Sequence, residues 1–157
     1  MAGSRRIEGS CRCGRLRFAV TGDPLIVYAC HCRDCQKMAS SAFSLSALFP
    51  GDQFEHLSGA TEIGGAHGEH RQHHCSWCKG WAYTQIAGPD GMISIRPALL
   101  DEPDTFPVLY DMMVEEGLPG ARSGAERVVS RNYEALAQMT VDYAAFLAAR
   151  RSARQPA

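Results

Sequence analysis

Seven cysteines in three tight groups constrain this chain more than any other feature. Cys11 and Cys13 form a C-x-C pair, Cys30, Cys32 and Cys35 a C-x-C-x-x-C cluster, and Cys75 and Cys78 a C-x-x-C pair. No cysteine lies outside these groups, and an odd number cannot pair completely within one chain. The N-terminus does not read as a secretory leader, because Arg5 and Arg6 have no apolar run behind them. The expected setting is the cytoplasm, where such a pattern points to metal binding or catalysis rather than to disulfides.

Zinc takes four sulfur or nitrogen ligands in a tetrahedron. A C-x-x-C pair on a tight turn aims both sulfurs at one ion, and in C-x-C both side chains leave the same side of an extended segment. Two such pairs far apart in sequence, Cys11/Cys13 and Cys75/Cys78, would make a four-thiolate site joining the start of the chain to its middle. Closing so long a loop is where a metal stabilises most in principle. Cys30, Cys32 and Cys35 supply only three thiolates. A fourth ligand could come from His31, His73 or His74, which would close the site. Left open, the cluster has the three-ligand pattern of catalytic zinc.

The remaining composition is that of an ordinary soluble domain. Among 157 residues, 45% are hydrophobic and 21% charged, which excludes a disordered chain. A formal charge of -1 leaves no basic footprint for nucleic acid. The longest strongly apolar stretch, Leu25 to Cys30, is far short of a membrane span.

Leu16, Phe18 and Val20 alternate with Arg15, Arg17 and Ala19, predicting a half-buried strand. Leu25 to Ala29, Ala42 to Phe49, Trp81 to Ile86 and Met92 to Arg96 read as further strands, with a helical turn after Cys35. Gly59, Gly64, Gly65 and Gly68 punctuate a loop-rich middle, and Leu99 to Pro119 is expected to cover the core irregularly. Ser123 and Glu126 have the spacing of a capping box. Val129, Tyr133, Leu136, Thr140, Tyr143 and Leu147 then predict one face of a helix from about Ala125 to Arg150. That face is either a core-packing stripe or the seam of a homodimer. The reading divides the chain into a β domain over 1–120 and a helical segment over 121–157 packed on it.

Cys11-Arg12-Cys13-Gly14, Cys30-His31-Cys32-Arg33-Asp34-Cys35 and Cys75-Ser76-Trp77-Cys78 together resemble the glutathione-dependent formaldehyde-activating enzymes, a family that also contains centromere protein V. The resemblance runs from about Gly9 to Pro107 and includes Leu57-Ser58-Gly59 and Leu100-Asp101-Glu102-Pro103. It implies a mainly β fold, a tent-like arrangement of short antiparallel sheets around zinc, here with a C-terminal amphipathic helix. It implies two zinc ions per chain, a structural one on Cys11, Cys13, Cys75 and Cys78 and a catalytic one on Cys30, Cys32 and Cys35. The activity it implies is that of a carbon-sulfur lyase, joining or cleaving a thiol such as glutathione and a small aldehyde such as formaldehyde. Two other readings stand beside it: a non-catalytic zinc-stabilised binding scaffold, and an enzyme of the same fold acting on another thiol or electrophile.

The chain departs from the family pattern in places. Lys79 stands where a glycine usually follows the last cysteine, His74 replaces an aromatic residue, Ser40-Ser41 takes the place of a common glycine, and the long terminal helix is additional. Arg33, Lys37, Arg71 and Lys79 could meet the carboxylates of an acidic thiol, but the plainer reading of each is surface charge. His67, His70, His73 and His74 read mainly as a solvated loop, and Trp77 and Trp81 mainly as packing residues.

Overall fold

The computed structural model describes residues 5–130 and 136–154. Strands β1 (Arg6–Ser10), β2 (Arg17–Thr21) and β5 (Phe54–Ser58) form an antiparallel sheet in the order β1-β2-β5. The remaining strands are β3 (Ile26–Cys30), β4 (Ser44–Phe49), β6 (Thr61–Gly64), β7 (Arg71–Cys75), β8 (Trp81–Gln85), β9 (Ile93–Ile95), β10 (Tyr110–Met112) and β11 (Arg127–Val129). They build an eight-stranded sheet in the order β11-β10-β3-β4-β9-β8-β7-β6. β10 runs parallel to both its neighbours, and the other pairs are antiparallel. Helix α1 (Arg33–Ala39) follows β3, and helix α2 (Leu136–Arg154) closes the described chain. The fold is therefore mainly β with a C-terminal helix, and no helix among the described residues is long and apolar enough to cross a membrane.

Aromatic side chains join the two sheets. Phe18 of β2 stacks on Phe54 of β5 at 5.8 Å, and Phe54 meets Tyr83 of β8 at 4.7 Å. Phe18 is wholly buried, and burying a side chain of this size contributes roughly 1.5–3 kcal/mol. Where the chain leaves β5, Gly59 has φ +87, and a Cβ there would lie 2.3 Å from the Arg15 carbonyl oxygen. Only glycine fits that turn. Helix α2 packs on β3, burying Met139, Tyr143 and Leu147 in the core. Tyr143 also donates from its hydroxyl to the Pro107 carbonyl at 3.0 Å.

The strands expected at Arg15–Val20, Leu25–Ala29, Ala42–Phe49, Trp81–Ile86 and Met92–Arg96 all occur, within a residue or two of their expected ends. The glycine-punctuated middle is more ordered than its composition implies, holding β5, β6 and β7. The helix does not begin near Ala125. Residues 127–129 are drawn into the sheet beside β10, and the Ser123 hydroxyl accepts from the Ala125 N–H instead of capping a helix. Tyr133 lies outside the described residues. Of the expected stripe, Tyr143 and Leu147 are buried against this chain's own core, with Met139 in place of Thr140 as their buried neighbour.

Candidate metal centres

The chain ends of β1 and β7 bring the first two cysteine pairs together. Cys11 lies just past β1, where its N–H donates to the Leu16 carbonyl at 3.0 Å and its carbonyl accepts from Gly14 N–H at 2.8 Å. Cys75 ends β7, and the turn after it is closed by Lys79 N–H on the Cys75 carbonyl and by Cys75 N–H on the Gly80 carbonyl. Lys79 takes φ +57 in this turn, the left-handed region that explains why glycine suits the position. Its Nζ donates to Glu62 Oε2 at 2.6 Å.

The four sulfurs of Cys11, Cys13, Cys75 and Cys78 all lie within 4.8 Å of one another, with Cys11 and Cys13 at 3.4 Å and Cys13 and Cys75 at 3.9 Å. A tetrahedral zinc with Zn–S of about 2.3 Å spaces its sulfurs by about 3.8 Å. The set can hold a metal ion, and an all-sulfur donor set suits zinc. Cys75 and Cys78 are held below the usual thiol range, chiefly by the N–H groups of Cys78 and Gly80 respectively. Cys13 is pushed up to about 11: the Arg15 N–H lowers it, but burial and the three neighbouring sulfurs outweigh that. Thiols that must share negative charge at such range are suited to a cation between them.

The second cluster is assembled by a strand end and a helix start. Cys30 closes β3, Cys32 is the N-cap of α1, and Cys35 lies in its first turn and donates its N–H to Cys32 Sγ at 3.4 Å. The three sulfurs again lie within 4.8 Å of one another. Hydrogen bonds from the thiols of Cys30 and Cys35 draw Cys32 down, while contacts with Cys32 and Cys35, and burial, push Cys30 up.

A buried polar scaffold fixes this loop. His31 points away from the sulfurs and donates from Nε2 to Asp111 Oδ1 of β10 at 2.7 Å. The Asp111 carboxyl lies below the usual carboxylate range, because hydrogen bonds from His31 and Ser123 outweigh the effect of its burial. Gln36 donates from Nε2 to the carbonyls of His31 and Glu116, at 2.5 and 2.9 Å. No histidine joins either group of sulfurs among the described residues. His73 is stacked on Tyr83 at 4.5 Å, and His74 donates from Nδ1 to the Lys79 carbonyl at 3.2 Å. The three-thiol set is thus not closed by His31, His73 or His74.

Other sequence candidates are dispersed. Lys79 is committed to Glu62, and Arg33 donates from Nη1 to Gln36 at 2.9 Å. Trp77 is 64% exposed, with the Arg15 guanidinium 3.7 Å from its ring centre, so it is not a packing residue. Trp81 does pack: it lies under the guanidinium of Arg96 at 3.9 Å and donates from Nε1 to Thr84. Arg96 and Asp111 were not among the expected site residues. The signal for Asp111 is a lone carboxylate within the apolar run Val108 to Met113. Arg96 ends a strand of alternating pattern, where a charge reads as solvent-facing.

Residues 6–116 match the family model of the glutathione-dependent formaldehyde-activating enzyme. The fold is similar to a crystal structure of a Rhodobacter sphaeroides protein, at 14% sequence identity and a TM-score of 0.48, covering 77% of this chain and 98% of that one. No curated protein matches the chain. The matched span contains all seven cysteines, the strand that carries Asp111 and both clusters of converging sulfurs. With most of its length so matched, the chain belongs to the glutathione-dependent formaldehyde-activating enzyme family.

Proposed function

We propose that the protein is a carbon-sulfur lyase that joins a thiol such as glutathione to a small aldehyde such as formaldehyde, or cleaves the adduct, at Cys30, Cys32 and Cys35. The observation that carries this reading is the three-sulfur cluster itself, with no histidine, carboxylate or further cysteine completing it among the described residues. Cys11, Cys13, Cys75 and Cys78 would hold a structural zinc, and Cys30, Cys32 and Cys35 a second. The chemistry that zinc supplies on three thiolates is ionisation of a bound thiol near neutral pH.

In the joining direction the thiolate sulfur adds to the aldehyde carbon. A C–S bond forms, the carbonyl π pair moves to oxygen, and that oxygen takes up a proton, giving a hydroxymethyl thioether from formaldehyde. This chain's residues hold the reacting sulfur in place. Cys30 is fixed by β3, Cys32 and Cys35 by the first turn of α1, and the loop between them by His31 on Asp111 and by Gln36 on two carbonyls. Holding ligands on paired elements limits their movement when a fourth sulfur arrives. Cysteines that bind metal rather than pair as disulfides suit a reducing compartment such as the cytoplasm.

Zinc per chain, measured in protein purified without chelators and again with excess glutathione, tests the reading. The expected result is about two ions, one per cluster, the more weakly held perturbed by the thiol. One tight zinc indifferent to thiol would sink the enzyme reading in favour of a zinc-stabilised binding scaffold.

A further inference from the structure

Arg96 is a basic side chain placed where surface charge does not belong. It follows β9 directly, and its N–H donates to the Ala82 carbonyl at 3.1 Å, continuing the ladder with β8. The guanidinium lies on Trp81 and donates from Nη2 to Ser94, to Oγ at 2.7 Å and to the carbonyl at 3.3 Å. Nε and Nη1 are shut off from solvent and have no hydrogen-bond partner. Among the described residues no carboxylate pairs with Arg96. An arginine keeps its charge under all ordinary conditions, so leaving buried N–H groups unpartnered is costly.

The sheet shows what this cation faces. Cys30 pairs with Ser44, Tyr28 with Ser46, and Leu48 with Ser94. Directly paired residues share a face, and alternate residues along a strand do too. Cys30, Ser44, Ser46, Ser94 and Arg96 therefore belong to one face of the eight-stranded sheet. Ser44, Ser46 and Ser94 are buried. Burial pulls the Arg96 guanidinium below its ordinary value, while Tyr28, Cys35 and Cys30 push the other way, two of them in the three-sulfur cluster. A face built only for packing would be apolar. This one joins a cysteine cluster to a cation with unspent donors.

We infer that Arg96 is the anion receptor of the Cys30, Cys32 and Cys35 site, taking a carboxylate of the substrate thiol on Nε and Nη1 and so selecting acidic thiols over neutral ones. The inference rests on the thiol-binding reading of that cluster. Planar guanidinium donors match a carboxylate better than an ammonium does. An acidic thiol approaching several thiolates is repelled by them, and a fixed cation on the same face offsets that repulsion.

The test uses the full chain loaded with cobalt in place of zinc. Sulfur-to-cobalt absorption is followed while 3-mercaptopropionate or its methyl ester is titrated in, two thiols that differ in one charge. The acid is expected to bind at least about tenfold more tightly than the ester, the size of a charge-assisted hydrogen bond. Arg96→Gln should bring the two together while cobalt content stays unchanged, and Arg96→Lys should keep part of the preference. A second readout needs no cobalt signal. In Trp77→Phe, Trp81 is the sole remaining tryptophan, and its fluorescence should respond to the acid but not to the ester.

A wild-type ratio near one overturns the inference, and so does an undiminished ratio in Arg96→Gln. Loss of cobalt from Arg96→Gln without loss of the acid preference assigns Arg96 to balancing the cluster's own charge and overturns it too. Should Arg96→Gln fail to fold, the wild-type ratio and Arg96→Lys decide. No spectral response to either thiol would overturn the site reading together with the inference, whereas equal responses overturn the inference alone.

Discussion

His31 Nε2 and Asp111 Oδ1 lie 2.7 Å apart, both side chains essentially without solvent exposure, and the contact ties the loop between two site cysteines to a strand eighty positions later in the chain. Asp111 also accepts from the Ser123 N–H, so one carboxylate organises the cysteine loop, β10 and the approach to β11. Removing it leaves a buried N–H unpartnered. Asp111→Ala is expected to lower stability by about 3 kcal/mol, measured by urea unfolding of the zinc-loaded protein. A loss below about 1 kcal/mol would show that the pair is not holding the loop.

The two cysteine clusters should fail differently. Cys11→Ser and Cys78→Ser remove a ligand from the set that joins the end of β1 to the turn between β7 and β8, and soluble folded protein is expected to be lost. Cys32→Ser alters a set confined to β3 and α1. It should leave a folded protein that has lost about one zinc and the proposed activity with thiol and aldehyde. Circular dichroism and zinc content on the same preparations distinguish the cases, and equal loss of folding in both would count against this division.

Both clusters are legible in the sequence because ligand spacing is a local property. The C-x-x-C pairs sit on turns whose geometry the intervening residues determine, and the strands nearest them alternate cleanly, as at Leu16, Phe18 and Val20. What the sequence hides is decided by partners far away. β1 carries Arg6 and Glu8, which pair with each other and with Glu55 and Arg17 across a sheet, so its charge reads as loop. Val129 fits a helical stripe as well as a strand, and only the free edge of β10 settles the choice. Arg96 is hidden for the same reason: its strand ends against Trp81, and nothing local says that Nε and Nη1 are shut off from solvent there.

Lys79 offers a small gain. It holds φ +57 at a position where a Cβ is strained, and its ion pair with Glu62 is more than half exposed. Lys79→Gly is expected to raise stability by about 0.5–1 kcal/mol, the relief of the left-handed conformation outweighing the lost pair. A drop in the thermal midpoint would mean that the contact with Glu62 matters more than backbone strain.

Acid should loosen the end of α2. Arg151 grips Asp23 with two hydrogen bonds, at 2.6 and 2.8 Å, and these hold the Asp23 carboxyl below its ordinary value of 3.8. A depressed carboxyl contributes in full above that ordinary value, and the contribution fades as pH falls through the lower folded value. Both side chains are about half exposed, so the pair is worth at most about 1 kcal/mol. The difference in thermal midpoint between the wild type and Asp23→Asn is expected to be present near neutral pH and to close below about pH 4. A difference that persisted in stronger acid would place the effect elsewhere.

β10 reaches its slot between β3 and β11 late, because it is made eighty residues after the strand it pairs with. Until then one edge of β3, the run Ile26-Val27-Tyr28-Ala29-Cys30, has open N–H and C=O groups. During synthesis on a ribosome this is the sticky stage, and an apolar open edge invites pairing with other nascent chains. Chains stopped before residue 110 should therefore aggregate even when all seven cysteines are present and zinc is supplied, whereas chains that include β10 should not. Completing that edge, more than acquiring metal, is what would make a nascent copy safe to release.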